Sequence, residues 1–187
     1  RLGVTAPFGF LIHQDNMDST RYVADIAQDG LSLPDRDYYL KKSDRKMADT
    51  LAKYQQHVSR MLALAGSTQP DAEARSIVAL ETALAKLQWD KVALRDPVKA
   101  YNKVPLAQLS KLAPDFDWTT WLADTGIGGK VDYVIVSQPS FIKGVNRLLQ
   151  TTPLATWQAY FRWQVIHAHA AYLSRPFAQE NFAFYGT

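Results

Sequence analysis

The residues best suited to chemistry in this sequence stand together in one segment, "GLSLPDRDYYL", at residues 30–40. Asp35, Arg36 and Asp37 could supply a general acid and base with a cationic neighbour, as hydrolytic reactions require. The alternative is a structural joint: Pro34 and Asp35 form a turn, Asp35 or Asp37 caps the following helix, and Arg36 pairs locally. We favour the joint, because a sequential Asp-Arg-Asp satisfies its own charges without a substrate. In the joint, the side chains that anchor the helix to the core are Tyr38, Tyr39 and Leu40.

The four histidines are His13, His57, His167 and His169. A zinc-peptidase helix carries His-Glu-x-x-His, since residues i and i+4 share a face and the glutamate can act as the base. No histidine of this sequence is followed by Glu. His167 and His169 are two positions apart, which on a helix turns them about 200° from each other. We therefore expect core or interface histidines and no metal ligands in this chain.

Two other catalytic patterns are not met. "GIGGK", at residues 126–130, resembles a phosphate-binding loop in composition, but it precedes a strand where such a loop would follow one. It is predicted to be a turn. The Gly-x-Ser-x-Gly pattern of serine hydrolases does not occur in the sequence. The residues by themselves therefore give no catalytic residue, and the substrate-binding residues stay unassigned.

Composition narrows the function classes. The chain has 187 residues, 47% of them hydrophobic, which is enough to bury a core. It has no cysteine, so disulfides, thiolate nucleophiles and cysteine zinc sites are excluded. Its 21 basic and 18 acidic residues are interspersed, so we expect no nucleic-acid partner. The uncharged stretch at residues 2–12 contains Pro7 and is too short for a bilayer, so we expect no membrane segment in this chain.

The elements that must position these residues begin with a hairpin. "FGFLIHQ" and "TRYVADIAQ" are two β-prone runs joined by the turn formers "DNMDS", which predicts a β-hairpin over about residues 8–28. Ser43 is then expected to cap a helix whose apolar residues recur at helical spacing until Gly66. A second helical run follows Pro70 and includes Ile77, Leu80 and Leu84.

The second half contains short elements, one strand and two closing helices. The strand is expected in "VDYVIVS", after the glycine turn. The last helix, over residues 154–174, has Arg162 as its only charged residue and aromatic residues on all sides, so we expect it to be a central buried element. The predicted fold class is mainly α: a helical domain, about residues 36–187, with a small β-hairpin and one further short strand.

Several motifs, in order along the chain, resemble the N-terminal region of the neprilysin-type zinc endopeptidases, a family that includes endothelin-converting enzyme and bacterial oligopeptidases. The match of residues 22–40 to the family's "GLGLPxRDYY" signature is accompanied by four further stretches. These are "ALETALAKLQW" at residues 79–89, the set Arg95, Asp96, Pro97, Tyr101, Asn102 and Lys103, "VSQPSFIKGVNRLL" at 136–149, and "FYGT" at 184–187. The resemblance covers about residues 8–187.

The resemblance implies the chemistry of a longer parent protein. In this family a His-Glu-x-x-His helix and a later Glu hold zinc, and the first Glu activates the metal-bound water. Those residues are absent here, so the resemblance implies a zinc cofactor bound outside this chain and no catalytic residue within it. It implies that residues 1–187 are a single fragment, most of the non-catalytic N-terminal domain, which faces the C-terminal catalytic domain and restricts substrates to small peptides. A first residue other than Met agrees with a fragment.

Two departures from the family pattern bear on this interpretation. Ser32 stands where glycine is usual, which puts the turn geometry in question. The chain also lacks the cysteines of animal members, which favours a bacterial homologue that is periplasmic or secreted. The alternative is a stand-alone helical binding or scaffold module that never had a catalytic half.

Overall fold

The computed structural model describes residue 4 and residues 6–186, and it divides the chain into two compact units. The first unit contains residues 30–86 and 152–186, with Val4 and Ala6. The second unit contains residues 7–29 and 87–151. The helices and strands confirm the predicted fold class, mainly α with a few short strands. In the described part of the chain, every helix is too short or too polar to cross a membrane.

The second unit is built on a four-stranded sheet of β1 (Phe8–Gln14), β2 (Tyr22–Gln28), β3 (Lys103–Pro105) and β4 (Tyr133–Val136), in the order β1-β2-β4-β3. Strands β1 and β2 form the predicted hairpin, antiparallel and paired from Phe8 with Gln28 to Gln14 with Tyr22. Strand β4 is the predicted later strand and runs parallel to β2. The sequence analysis missed β3, which pairs antiparallel with β4, because three residues ending in proline carry no alternating pattern.

Three helices complete the second unit: α4 (Leu109–Leu112), α5 (Trp118–Asp124) and α6 (Pro139–Thr151). Its core contains the apolar side chains of β2, β4 and α6, including Ile26, Val134 and Phe141. A second cluster of aromatic rings joins β1 to α5, with Phe8 and Trp118 stacked at 5.9 Å between ring centroids. The strands and the amphipathic helix α6 therefore bury apolar side chains against one another within this unit.

The first unit begins with α1 (Asp37–Leu40), α2 (Arg45–Leu64) and α3 (Pro70–Leu87), the last ending one residue past the unit. Helix α2 is capped by Asp44, whose carboxylate accepts the Met47 N–H at 3.1 Å, so the expectation of Ser43 as the cap is wrong. Aspartate is as good a cap as serine, and spacing alone does not separate two adjacent candidates. Gly66 ends α2 as predicted, with a left-handed φ of +83°.

The end of the first unit differs from the single long helix predicted over residues 154–174. Helix α7 (Leu154–His169) passes into a 3-10 turn, Ala170–Tyr172, and a new helix, α8 (Arg175–Tyr185), follows. Pro176 has no N–H to continue the α-helical ladder, but it fits the first turn of a new helix. Helix α7 is buried on one side only: Trp157, Tyr160 and Trp163 are buried, whereas Phe161 and Val165 are exposed. The expectation of a central buried element is therefore confirmed for one side of the helix and wrong for the other.

Candidate functional site: the enclosed Glu81 network

The segment at residues 30–40 folds as a loop that leads into α1. Gly30 adopts a left-handed φ of +98°, and its carbonyl accepts the Tyr160 hydroxyl of α7 at 2.9 Å. Ser32, where relatives are expected to have glycine, does not have a positive φ. The backbone at this position therefore does not require glycine, and the doubt about turn geometry is resolved.

At the centre of the first unit lies the carboxyl group of Glu81, a residue of α3 with no solvent exposure. The Ser32 hydroxyl donates to its Oε1 at 2.7 Å, and the Tyr39 hydroxyl donates to its Oε2 at 2.9 Å. Gln164 Nε2 of α7 lies 3.1 Å from Ser32 Oγ and 3.3 Å from Glu81 Oε1. We call these four side chains, with Trp163, the Glu81 network.

Trp163 connects the network to α2. Its indole Nε1 lies 3.0 Å from Ser32 Oγ and 2.9 Å from the Tyr54 hydroxyl, and its ring is fully buried. The Tyr39 hydroxyl also accepts the Leu33 N–H at 3.1 Å. One carboxyl group thus holds together the loop and α1, while the indole links α7 to α2.

The electrostatics of Glu81 follow from its enclosure. Burial raises the pKa of Glu81 to about 7, against the lowering effect of the hydroxyl donors from Ser32, Tyr54 and Tyr39. Burial also raises the pKa values of Tyr39 and Tyr54, and the nearby Glu81 charge raises them further. A carboxyl poised near neutral pH is typical of acid and base catalysts. Glu81 has no solvent-exposed surface that a substrate could reach, so the geometry favours a structural role.

The Asp-Arg-Asp sequence likewise has structural contacts. Asp35 Oδ1 accepts the N–H of Asp37, the first residue of α1, at 2.8 Å. Asp37 forms a 2.7 Å ion pair with Lys41. Arg36 does not pair locally as expected: its Nε donates to the Ala85 carbonyl of α3 at 3.1 Å. Of the three expected anchors only Tyr39 is buried, whereas Tyr38 and Leu40 are partly exposed.

Two of the histidines, His57 and His167, lie in the first unit and both contact the rings of Trp163 and Tyr185. His57 is buried in α2, and its Nδ1 lies 2.9 Å from Glu180 Oε1, an oxygen that also accepts from Arg60 Nε at 2.8 Å. Burial lowers the pKa of His57, and burial also lowers that of His167, which stacks on Trp163. Over residue 4 and residues 6–186, no three His, Cys, Asp or Glu side chains come together in a group that could hold a metal ion. The described residues therefore do not fit a zinc site.

In the second unit, a serine, an aspartate and a histidine lie together, but their contacts do not have the order of a hydrolase triad. Ser137 donates to Asp25 Oδ1 at 2.8 Å, and His13 Nε2 lies 3.4 Å from Asp25 Oδ2. A triad needs the histidine between serine and acid, so that it can accept the serine proton. Here the carboxylate lies in the middle, and burial raises the pKa of Asp25. The arrangement ties β1, β2 and the end of β4 together.

In the Arg95–Lys103 stretch, the side chains of Asp96 and Tyr101 also make structural contacts. The Asp96 carboxylate accepts the N–H groups of Val98 and Lys99, each at 3.1 Å, and so forms a turn. The Tyr101 hydroxyl donates to the buried Asp15 at 3.0 Å. The turn predicted at residues 126–130 is confirmed, with left-handed φ values of +75° at Gly126 and +72° at Gly129.

An open groove of about 670 Å³ runs between α2 and α8. The ion pair of Arg60 and Glu180 forms part of its wall, so the two charges compensate each other there. The remaining lining is mainly small or apolar: Ala63, Leu64, Pro176, Gln179 and Ala183. The groove therefore offers a binding surface but no nucleophile or metal ligand set.

Sequence reasoning missed Glu81, although a signal was present. Ile77, Leu80 and Leu84 define the buried face of α3, and Glu81 lies on that face, one turn after Ile77. A single acid on an apolar helix face is expected to be buried and hydrogen-bonded. What spacing could not supply is the partner, because Ser32 lies 49 positions earlier in the chain.

Comparisons with known proteins identify a matching family and similar structures. The family model described as peptidase family M13, for the N-terminal part, matches residues 1–187. Endothelin-converting enzyme-like 1 of Mus musculus is 33% identical over 180 residues, which are 93% of this chain and 23% of that protein. The structure of the Mycobacterium tuberculosis zinc metalloprotease Zmp1 with an inhibitor is 35% identical, with a TM-score of 0.92 over 99% of this chain and 28% of that one. PepO of Lactobacillus rhamnosis, at 19% identity and a TM-score of 0.76, shares the fold.

Proposed function

The chain belongs to peptidase family M13, and on that premise we propose that it is the non-catalytic, substrate-restricting part of a zinc metalloendopeptidase that hydrolyses peptide bonds in small peptides. The chain spans about a quarter of the length of the relatives it matches, 23% of the murine protein and 28% of Zmp1. The neighbour Zmp1 is described as a zinc metalloprotease. The proposal assigns the chemistry of the parent protein to polypeptide outside these residues.

The observation that carries the proposal is the contrast between the family match and the chemistry of the chain. The match extends over the whole sequence, yet no histidine is followed by Glu, so the metal-binding pattern His-Glu-x-x-His does not occur in it. The titratable groups that resemble a catalytic site, Glu81 and the Ser137 group, are engaged in contacts between elements of their own units. The zinc of the parent enzyme would then be held by its C-terminal catalytic domain, which is the proposed partner of this chain.

A substrate-restricting wall must be rigid, since selection by size fails if the wall yields. The Glu81 network supports this role, because it joins the loop at residues 30–34, α1, α3 and α7 through enclosed hydrogen bonds. Close-packed interiors transmit strain and resist compression. Exclusion of large substrates would then be steric and need no contact with the zinc. We propose that the parent is a bacterial protein, periplasmic or secreted.

The test compares the full-length protein with the isolated 187-residue chain. We expect the full-length protein to hold one zinc and to cleave a short peptide, and the isolated chain to hold no stoichiometric zinc and to cleave nothing. One tightly held zinc on the isolated chain, measured by metal analysis, would overturn the assignment. A full-length protein with neither zinc nor activity would support the scaffold alternative instead.

Substrate restriction has a separate test. The same cleavable sequence is offered to the full-length protein as a short peptide and inside a long unfolded polypeptide. We expect the short peptide to be cleaved much faster, because only it fits behind the wall. Equal rates for both substrates would contradict the restricting role while leaving the peptidase assignment intact.

A further inference from the structure

Helix α7 presents an apolar stripe to solvent on the side opposite the Glu81 network. Four large side chains form it, at spacings of seven, four and seven residues, which keep them on one side of the helix and of the 3-10 turn that follows. Their exposed fractions are 72% for Leu154, 43% for Phe161, 47% for Val165 and 88% for Tyr172. We call these four side chains the α7 stripe.

The polar residues along the same side do not require a charged partner. Arg162 is bridged to Glu73 of α3, with Nη1 3.3 Å from Oε1. Gln158 is exposed and uncharged. A helix with large apolar side chains on its exposed side as well as on its buried side is typical of the interior of a larger protein. The surface that fits the α7 stripe is therefore apolar, with at most hydrogen-bonding groups at its edge.

We propose that the α7 stripe is the docking surface for an apolar segment of the same polypeptide, from the part of the parent protein that lies outside these 187 residues. This rests on the proposed function, in which the chain is part of a longer peptidase. The relatives are about four times as long as the chain, because the match covers 23% of the murine protein and 28% of Zmp1. That length supplies ample polypeptide to cover the stripe.

The size of the stripe favours a tethered partner over a second copy. From the exposed fractions of its four side chains, and an area of roughly 150–250 Å² for a fully exposed large side chain, the stripe offers on the order of 500 Å². A stable complex between separate proteins buries about 800 Å² on each partner. A segment of the same polypeptide has an effective concentration in the millimolar range, so a smaller contact is sufficient.

Residues 1–187 contain no cysteine, so a single thiol introduced in this part of the full-length protein can be followed by peptide mapping. Val165→Cys places one thiol in the stripe, and Leu154→Cys repeats the measurement at a second position. Ala52→Cys, at an exposed position of α2, is the matched control. Each variant is treated with a maleimide under native and denaturing conditions, and labelling is located by peptide mapping.

We expect the stripe thiols of the native full-length protein to react at least roughly tenfold more slowly than when denatured, while the control reacts at nearly the same rate in both states. Stripe thiols that react as fast as the control would overturn the proposal. Protection that disappears on dilution would also overturn it, because it would identify a second copy as the occupant. Peptide cleavage by the same preparation reports separately on the proposed function.

Discussion

Replacement of Glu81 by glutamine is expected to remove a specific pH dependence from the stability of the chain. The pKa of Glu81 is about 7 in the folded chain, against 4.5 for an ordinary glutamate. Because the folded-state pKa is the higher one, the stabilising contribution is fully present below about pH 4.5 and is lost as the pH rises through about 7. Each pH unit between these limits lowers the free energy of unfolding by about 1.4 kcal/mol, so the total loss is about 3 kcal/mol.

Glutamine has nearly the shape of a protonated glutamate but does not ionise. Relative to the wild type, Glu81→Gln is therefore expected to gain about 3 kcal/mol in the free energy of unfolding between about pH 4 and about pH 8. The assay is urea unfolding followed by tryptophan fluorescence at a series of pH values. The difference between the two curves cancels other titrating groups, such as His57 and Asp25.

The matched control is Glu73→Gln, the same substitution on the same helix at a partly exposed residue paired with Arg162. Its difference curve should change by less than about 1 kcal/mol over the same range, as expected of an exposed ion pair. A flat difference curve for Glu81→Gln would refute the reasoning, because Glu81 would then ionise in the folded chain without cost. A curve of opposite sign would indicate a stabilising positive charge near the carboxylate.

Two further stability predictions come from the same unit. Trp163→Ala should lower the free energy of unfolding by about 3–5 kcal/mol, because it leaves a cavity at a fully buried position and removes the donor shared by Ser32 and Tyr54. A loss below about 1 kcal/mol in urea unfolding would contradict the burial of Trp163. Gly66→Ala should cost about 1–2 kcal/mol, since φ is +83° and no atom lies within 4 Å of the added methyl group. An unchanged unfolding midpoint for Gly66→Ala would show that α2 ends differently.

Local patterns in the sequence were sufficient for most of the elements. Alternation and a cluster of turn formers predicted the hairpin of β1 and β2, and helical spacing predicted α2 and α3. Gly66 was recognisable as a helix end because glycine readily adopts the left-handed backbone conformation that often ends a helix. The ordered motifs also predicted the family that the comparisons show. Each of the inferences about secondary structure depends on residues close together in the chain.

Apart from the cap of α2 and the short strand β3, the errors occur where the outcome depends on a distant partner. The choice between Arg36 pairing locally and Arg36 reaching the Ala85 carbonyl was decided by the packing of α1 against α3. Burial of only one side of α7 depended equally on which surfaces met it. Tertiary packing likewise turned Glu81 from one acid on a helix face into the centre of a network. Periodicity records which face of an element is apolar, but the pairing of a buried polar atom is fixed only when segments far apart in the chain are brought within hydrogen-bonding distance.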